Sequence, residues 1–274
     1  MTFTHKLKEV QQRNNSWLCV GLDPVTERLP ASVQTAPDPL LQFGRAIVEH
    51  TVDLVCAYKP NLGFWLAEGA AGLAALQQLI EEMPSHIPVI LDGKFNDVGH
   101  TAEAYARAAF ETLGADSVTA NPYLGLDTLR PFLSAEDRGV FLLARTSNPS
   151  APDLQDLKVG DDPVYQRVAQ LAARWDEELA GTCGLVVGAT YPRELSIVRH
   201  IAPALPFLIP GIGAQGGNLE QAVLHGPATG GVGPIINSSR GIIYASSGSD
   251  FAEAAREAAL ATRERINQQR KAFS

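Results

Sequence analysis

The chain has 274 residues, 45% of them hydrophobic, with 24 glycines and a formal net charge of −8. This length fits one barrel of roughly 250 residues, and the acidic balance argues against a general nucleic-acid binder, which normally carries a basic stripe. No stretch approaches the roughly 18 apolar residues that span a membrane, and the polar N-terminus lacks the apolar core of a signal peptide. We therefore expect a cytoplasmic protein without nucleic-acid or membrane partners.

The predicted elements alternate between short apolar runs and longer amphipathic segments. The apolar runs predict eight strands, at 17–23, 55–59, 88–94, 117–121, 140–146, 185–190, 206–210 and 233–237. Helices are predicted at 39–54, 66–83, 99–113 and 163–179, from near 191 and near 218, and at 250–269. Residues 147–162, rich in Ser, Pro and Asp, are predicted to form a long loop.

Eight strand–helix repeats indicate parallel strands joined by helical crossovers. The fold expected from this pattern is an α/β (β/α)8 TIM barrel, in a single domain that covers residues 1–274. A doubly wound open sheet is the competing architecture. Cys19, Cys56 and Cys183 each lie in an apolar run, which is typical of buried thiols in a reducing compartment. The histidines show no metal-ligand spacing, and we expect no metal and no cofactor.

Charged residues end several of the predicted strands, where catalytic side chains of such barrels lie. Residues two apart in a strand face the same side, so Asp92 and Lys94 should both point to the barrel mouth. With Asp23, Lys59 and Asp97 they are expected to form a network of alternating charge. Flanking carboxylates favour the ammonium form of Lys94, which predicts a proton donor rather than a nucleophilic amine. An ion-pair cluster that only closes the barrel top is the alternative.

Two polar loops predict a phosphate site. Residues 210–217 follow the seventh strand and contain glycines that let backbone N–H groups turn toward an anion. Ser239 and Arg240 follow the eighth strand, and an arginine can hold a phosphate by two bonds. Phosphate sites in TIM barrels commonly lie after strands seven and eight, so the pattern predicts a phosphorylated substrate. Tight loops needed only for barrel closure are the alternative.

Together, these motifs resemble the orotidine 5′-phosphate decarboxylases, particularly the bacterial subgroup with longer chains. The matching runs lie at 21–24 (Gly-Leu-Asp-Pro), 58–61 (Tyr-Lys-Pro-Asn), 92–97 (Asp-x-Lys-x-x-Asp), 119–123 (Thr-Ala-Asn-Pro-Tyr), 145–149 (Arg-Thr-Ser-Asn-Pro), 187–190 (Val-Gly-Ala-Thr), 210–217 and 237–241 (Asn-Ser-Ser-Arg-Gly). They occur in the family's order over nearly the whole chain. The resemblance implies conversion of orotidine 5′-phosphate to UMP in pyrimidine biosynthesis, by a homodimer with shared active sites.

The resemblance also implies a role for each charged residue at the barrel mouth. Asp23 and Lys59 would hold ribose hydroxyls, Asp92 would lie beside the substrate carboxylate, and Lys94 would protonate C6 of the pyrimidine. These assignments describe a metal-free reaction in which fixed charge stabilises a C6 carbanion.

The remaining implied roles concern the neighbouring subunit, the base and the phosphate. Asp97 and Thr101 would reach across the dimer interface into the other subunit's site. Ser147 would read the pyrimidine edge, and Gln215 would bridge base and phosphate. Arg240 would hold the phosphate together with nearby backbone amides, and Ser239 is counted with it among the substrate-binding residues.

Metal-dependent relatives in the wider suprafamily, such as hexulose-phosphate synthase, carry a metal-binding glutamate at the end of strand two. This chain has Lys59 there, and a lysine would repel a divalent cation, which favours the metal-free decarboxylase. Two alternatives stay open. One is a metal-dependent sugar-phosphate aldolase or decarboxylase, and the other is an inactive sensor of a phosphorylated ligand.

Overall fold

Eight parallel strands form the centre of the molecule, which a computed structural model describes for residues 1–212 and 217–272. The strands are β1 (Leu18–Leu22), β2 (Ala57–Pro60), β3 (Ile90–Phe95), β4 (Ser117–Ala120), β5 (Gly139–Arg145), β6 (Thr182–Val187), β7 (Phe207–Pro210) and β8 (Ile235–Ser238). They pair in the order β2-β1-β8-β7-β6-β5-β4-β3. Bridges from Tyr58 to Val89 and from Asn61 to Asp92 join β2 to β3. The ring of strands therefore closes, which confirms the predicted (β/α)8 TIM barrel over the open doubly wound sheet.

The longer helices pack around this ring. They are α1 (Phe3–Arg13), α2 (Pro39–Thr51), α3 (Leu62–Ala67), α4 (Gly69–Glu82), α5 (Gly99–Arg107), α6 (Val164–Glu178), α7 (Pro192–Ile201), α8 (Leu219–His225) and α9 (Phe251–Ala272). The helix predicted at 66–83 is two helices, α3 and α4, which meet at Gly69, where φ is +66°. Because a left-handed backbone interrupts an α-helix, this glycine ends one helix and begins the next. No helix among the described residues is long and apolar enough to cross a membrane.

The inside of the barrel changes from apolar to polar along the strands. One buried apolar cluster contains Cys19, Ala57, Ile90, Phe141, Val186, Leu208 and Ile235. Lys59 and Asp92 lie two residues beyond Ala57 and Ile90, so they face the same side of the sheet and end the apolar layer. The three cysteines are free and buried, as predicted.

The N-terminal helix α1 was not predicted, and it closes the apolar end of the barrel. Phe3 and Leu7 belong to the cluster inside the barrel, and the ring of Phe3 packs edge-on against Phe141 with centroids 5.9 Å apart. Val10 lies one turn further along the same face, and it is also buried. The three residues have helical spacing in an otherwise polar segment, and this was the signal for the helix.

The segment between β5 and α6, residues 146–163, contains more structure than the predicted loop. A short helix, Pro152–Gln155, is followed by a hairpin that pairs Lys158–Val159 with Asp162–Pro163. Gly160, with φ +68°, lies in the hairpin turn, where glycine adopts the left-handed conformation without steric cost. The segment is therefore a folded element beside the carboxyl end of β5.

Candidate active site

Two lysines share one carboxylate at the carboxyl ends of β2 and β3. Lys59 Nζ lies 2.8 Å from Asp92 Oδ2, and Lys94 Nζ lies 2.7 Å from Asp92 Oδ1. Lys59 is 5% exposed and Asp92 9% exposed, whereas the side chain of Lys94 is 49% exposed. Of the five charged residues expected to form a network, three are joined in this way, with Asp92 between the two lysines.

Two neutral side chains complete the surroundings of the Asp92 carboxylate. Thr119 Oγ1 donates to Oδ1 at 2.7 Å, and Asn61 Nδ2 donates to Oδ2 at 3.3 Å. Each carboxylate oxygen therefore accepts from one ammonium and one neutral donor. A buried charge is tolerated only when it is paired and hydrogen-bonded in this way.

The opposite charges of Asp92 and the two lysines stabilise one another. Burial alone would raise the pKa of the Asp92 carboxyl, but the charges of Lys59 and Lys94 outweigh it and hold that pKa well below its usual range. Burial would likewise lower the pKa of the Lys59 ammonium, yet Asp92 and Asp23 raise it above its ordinary value. Asp92 and Lys59 are therefore both ionised at neutral pH.

A cavity of about 450 Å³ lies at this end of the barrel. Residues at the ends of strands around the ring line it: Lys59, Asp92, Lys94, Thr119, Leu143, Thr146, Ser147, Asn148, Gln155, Val186, Leu208, Pro210 and Asn237. The lining combines apolar side chains, the three charged groups, and several hydroxyl and amide groups. A volume of this size with such a lining accommodates a small polar molecule.

Four buried polar atoms in or just after β1, β6 and β8 have no hydrogen-bond partner among the described residues. They are Asp23 Oδ1, Thr190 Oγ1, Asn237 Oδ1 and Ser239 Oγ. Buried polar groups are almost always satisfied in folded proteins, so these atoms mark candidate positions for ligand contacts. Asn237 is the one of the four residues that lines the cavity. Asp23 and Ser239 lie side by side, since a Cβ placed on Gly21 would come within 3.3 Å of both side chains.

The described parts of the predicted phosphate loops follow β7 and β8 at the same end of the barrel. Gly211 follows β7 with φ +99°, and Arg240 follows β8 as the first residue of the short helix Arg240–Ile243. Arg240 is exposed. Gln215 and the rest of the run 213–216 lie outside the described residues.

Asp97 and Thr101 lie apart from the charged group within one chain. The Asp97 carboxylate accepts from the backbone N–H of Val98 at 2.8 Å, and Thr101 is exposed on α5. Neither residue is among those that line the cavity. Ser147, in contrast, does line it.

The segment between β5 and α6 is fastened to the barrel by two interactions. The buried Arg145 guanidinium contacts the Asp156 carboxylate, with Nε 3.1 Å from Oδ1, and lies 3.8 Å from the ring centroid of Tyr191. The Gln155 amide accepts from the N–H of Thr146 and donates to its Oγ1, both at 2.8 Å. Sequence reasoning missed Gln155, because nothing local indicates that it folds back over the strand end.

Comparison with known proteins identifies the family. A family model described as "Orotidine 5'-phosphate decarboxylase / HUMPS family" matches residues 16–258. The chain belongs to this family. An orotidine 5'-phosphate decarboxylase from Thermomicrobium roseum is 51% identical over 273 residues, which cover 99% of this chain and 97% of that one.

Solved structures of relatives in this family have the same fold. The OMP decarboxylase of Leishmania donovani has a TM-score of 0.84 and 40% identity, over 100% of both chains. The UMP synthase of the same organism has a TM-score of 0.87 and 42% identity over 98% of this chain, which spans 57% of that longer one. The family and fold expected from the sequence motifs are thus confirmed.

Proposed function

We propose that the chain decarboxylates orotidine 5′-phosphate to UMP in pyrimidine biosynthesis, with Lys94 as the proton donor. Membership of the family supports the reaction, and the group formed by Lys59, Asp92 and Lys94 supports the chemistry. The observation that carries the proposal is the position of Lys94: its side chain is half exposed and lines the cavity, and its ammonium contacts the buried Asp92 carboxylate.

The reaction needs a positively charged group beside the carbon atom that loses CO₂. When the bond between C6 and the carboxylate breaks, its electron pair stays on C6 in the plane of the ring, where the π-system delocalises it poorly. Enzymes lower barriers by about 8–23 kcal/mol, and this reaction requires the upper part of that range. The Lys94 ammonium stabilises the developing charge and then transfers a proton from Nζ to C6. The neutral amine left behind regains a proton from water.

Asp92 contributes by holding Lys94 and by its own charge. Its carboxylate stays ionised because of the two lysines, so it opposes a substrate carboxylate placed beside it. Loss of CO₂ relieves that repulsion, which is a form of ground-state destabilisation. Lys59, buried behind Asp92, keeps the carboxylate charged.

The rest of the substrate is held by the polar residues around the cavity. Asp23 and Lys59 bind ribose hydroxyls, and Ser147 reads the pyrimidine edge. Ser239 and Arg240, together with Gln215, bind the phosphate and its junction with the base. The buried oxygens of Asp23 and Ser239 that lack partners among the described residues support this assignment. Binding energy from the distant phosphate then orders the site.

The reaction proceeds without a metal or another cofactor in this proposal. Lys59 places an ammonium 2.8 Å from Asp92 Oδ2, and this positive charge would repel a divalent cation at the same carboxylate. The test is loss of the orotate absorbance with release of CO₂, measured with and without EDTA. Full turnover in EDTA is expected, and strict dependence on Mg²⁺ would favour the metal-dependent sugar-phosphate enzymes.

A matched variant tests the proton donor. Lys94→Ala should bind UMP but give no turnover above background. Retained full activity would refute the role of Lys94. Tight UMP binding by well-folded wild-type protein without turnover would indicate a sensor of a phosphorylated ligand instead.

We propose further that two copies of the chain form a homodimer with shared active sites. Val98, Thr101 and Tyr105 are exposed at helical spacing on one face of α5, and an exposed apolar face beside a polar residue suits a subunit interface. Asp97 and Thr101 then reach the neighbouring cavity. Mixing Lys94→Ala with Asp97→Ala subunits should restore about a quarter of wild-type activity, because half the dimers hold one intact site. No recovery would argue against sharing.

The proposed organisation is a single domain in the cytoplasm. The eight strands β1–β8 belong to one barrel. Phe3 and Leu7 of α1 pack in the cluster inside it, and α9 contacts β1, so helices near both ends of the sequence pack on the same barrel. The buried free thiols suit a reducing compartment.

A further inference from the structure

The backbone around Lys94 departs from regular strand geometry. Between two points of pairing, β3 advances four residues, from Leu91 to Phe95, while β4 advances two, from Val118 to Ala120. Lys94 has φ +47°, in a left-handed region that non-glycine residues rarely occupy. Such a bulge re-aims a side chain and leaves backbone groups without their usual ladder partners.

Thr119 supplies the missing partner. Its Oγ1 accepts from the backbone N–H of Lys94 at 3.0 Å and donates to Asp92 Oδ1 at 2.7 Å. The side chain is buried, at 1% exposure, and lines the cavity. A hydroxyl offers one donor hydrogen and accepting lone pairs, and Thr119 uses both functions on the two residues of the bulge.

We infer that Thr119 is a positioning residue for the decarboxylation. Its hydroxyl sets the direction of the Lys94 ammonium by fixing both the backbone and the tip of that lysine. This inference rests on the proposed function. At the backbone end, the hydroxyl holds the left-handed conformation of Lys94. At the tip, it holds the same Asp92 oxygen to which Lys94 Nζ is bonded, so the lysine side chain spans two points that one hydroxyl fixes.

The hydroxyl group rather than the shape of the side chain carries this role. Valine fills nearly the same space, but it would leave the Lys94 N–H and one site on Asp92 Oδ1 without a partner. A Lys94 backbone free to relax would place the ammonium in several directions, and proton transfer depends steeply on such alignment. Substrate binding, which depends mainly on the phosphate and ribose contacts, would change little.

The test compares Thr119→Val and Thr119→Ser with the wild-type protein in kcat, KM, UMP affinity and Tm. We expect Thr119→Val to lower kcat roughly 10- to 100-fold, the range for a lost hydrogen bond to a charged group, with KM and UMP affinity within about threefold. Thr119→Ser should recover kcat to within about threefold of wild type. Ser117→Ala is the matched control: Ser117 lies two residues earlier on β4, is buried, and has no hydroxyl partner among the described residues.

A second pair of variants covers the case in which valine prevents folding. Thr119→Ser and Thr119→Ala both lack the methyl group and differ in the hydroxyl alone, so kcat should be higher for serine. Equal kcat in that pair, or wild-type kcat in Thr119→Val, would overturn the inference while leaving the proposed function intact. A lower Tm with unchanged kcat would also overturn it, since the hydroxyl would then only stabilise the fold. An inactive wild-type protein would overturn the proposed function, and the inference with it.

Discussion

Methionine replacements of Lys59 and Lys94 should separate stability from activity, although both lysines contact the same carboxylate. Lys59 is almost completely buried, and removing one partner of a buried ion pair costs about 3–5 kcal/mol. Lys94 and Thr119 would still contact Asp92 Oδ1. The expected loss for Lys59→Met is therefore about 3 kcal/mol, at the low end of that range. In a chain of this size, roughly 2–4 °C of Tm corresponds to each kcal/mol, so Tm should fall by roughly 6–12 °C.

Lys94→Met should change stability little and abolish turnover. The Lys94 side chain is half exposed, and exposed ion pairs are worth about 0–1 kcal/mol. Tm should therefore fall by less than about 4 °C. Methionine meets the same backbone constraint at φ +47° as lysine does, so backbone strain does not change between the two proteins. Turnover should fall to background, because no other group in the proposal donates the proton.

The assay is thermal and urea unfolding followed by circular dichroism, together with the decarboxylation rate at 25 °C. Lys158→Met serves as the control, since Lys158 is exposed in the hairpin between β5 and α6 and should leave both Tm and turnover unchanged. Equal Tm losses for the Lys59 and Lys94 variants would refute the reasoning, and so would a larger loss for Lys94→Met.

Three further results are expected. The depressed pKa of Asp92 contributes stability that is present above its unfolded pKa of about 3.9 and lost as pH falls toward the folded value. The free energy of unfolding measured in urea should therefore decrease from about pH 4 downward. If Asp92→Asn showed the same pH dependence as the wild-type protein, this explanation would be contradicted. Gly93→Ala should cost about 1–3 kcal/mol in urea unfolding, because its Cβ would lie 2.6 Å from the ring of Phe95; unchanged stability would argue against that contact. Gln155→Leu should raise KM roughly tenfold through loss of both bonds to Thr146, and kinetics with unchanged KM would speak against it.

Patterns that repeat along the chain were sufficient to predict the barrel. Each predicted strand overlaps an observed one, because a fully buried parallel strand is a short apolar run with a clear boundary. The same period of two predicted that Asp92 and Lys94 would share one side, and both line the cavity. The bulge in β3 between Leu91 and Phe95 and the left-handed Lys94 lie outside that simple alternation, so the result was right although the local geometry was not foreseen. Helix ends were harder to predict than strands. The break at Gly69 depends on a left-handed backbone conformation, which the pattern of apolar residues does not indicate.

The parts of the site that could not be predicted depend on contacts between distant segments. Thr119 is an ordinary strand residue in sequence, and only the bulge in β3 brings the Lys94 N–H to its hydroxyl. Gln155 reaches Thr146 because the segment between β5 and α6 folds into a helix and a hairpin.

Asn237, in contrast, could have been predicted. It faces the cavity by the same alternation of strand residues that places Lys59, so every second residue along β8 includes it.

The difference in exposure between the two lysines fits the different tasks that the proposed mechanism gives them. Asp92 accepts hydrogen bonds from Lys59, Asn61, Thr119 and Lys94 among the described residues. When Lys94 turns from Asp92 toward C6, the carboxylate keeps three donors, one of them charged, so it is never left as an unpaired buried anion. Lys59 must therefore be buried and fixed, whereas Lys94 must be accessible enough to leave. Burial of Lys94 would add a desolvation cost for its charge and restrict its movement, so a half-exposed side chain fits the proposed proton transfer.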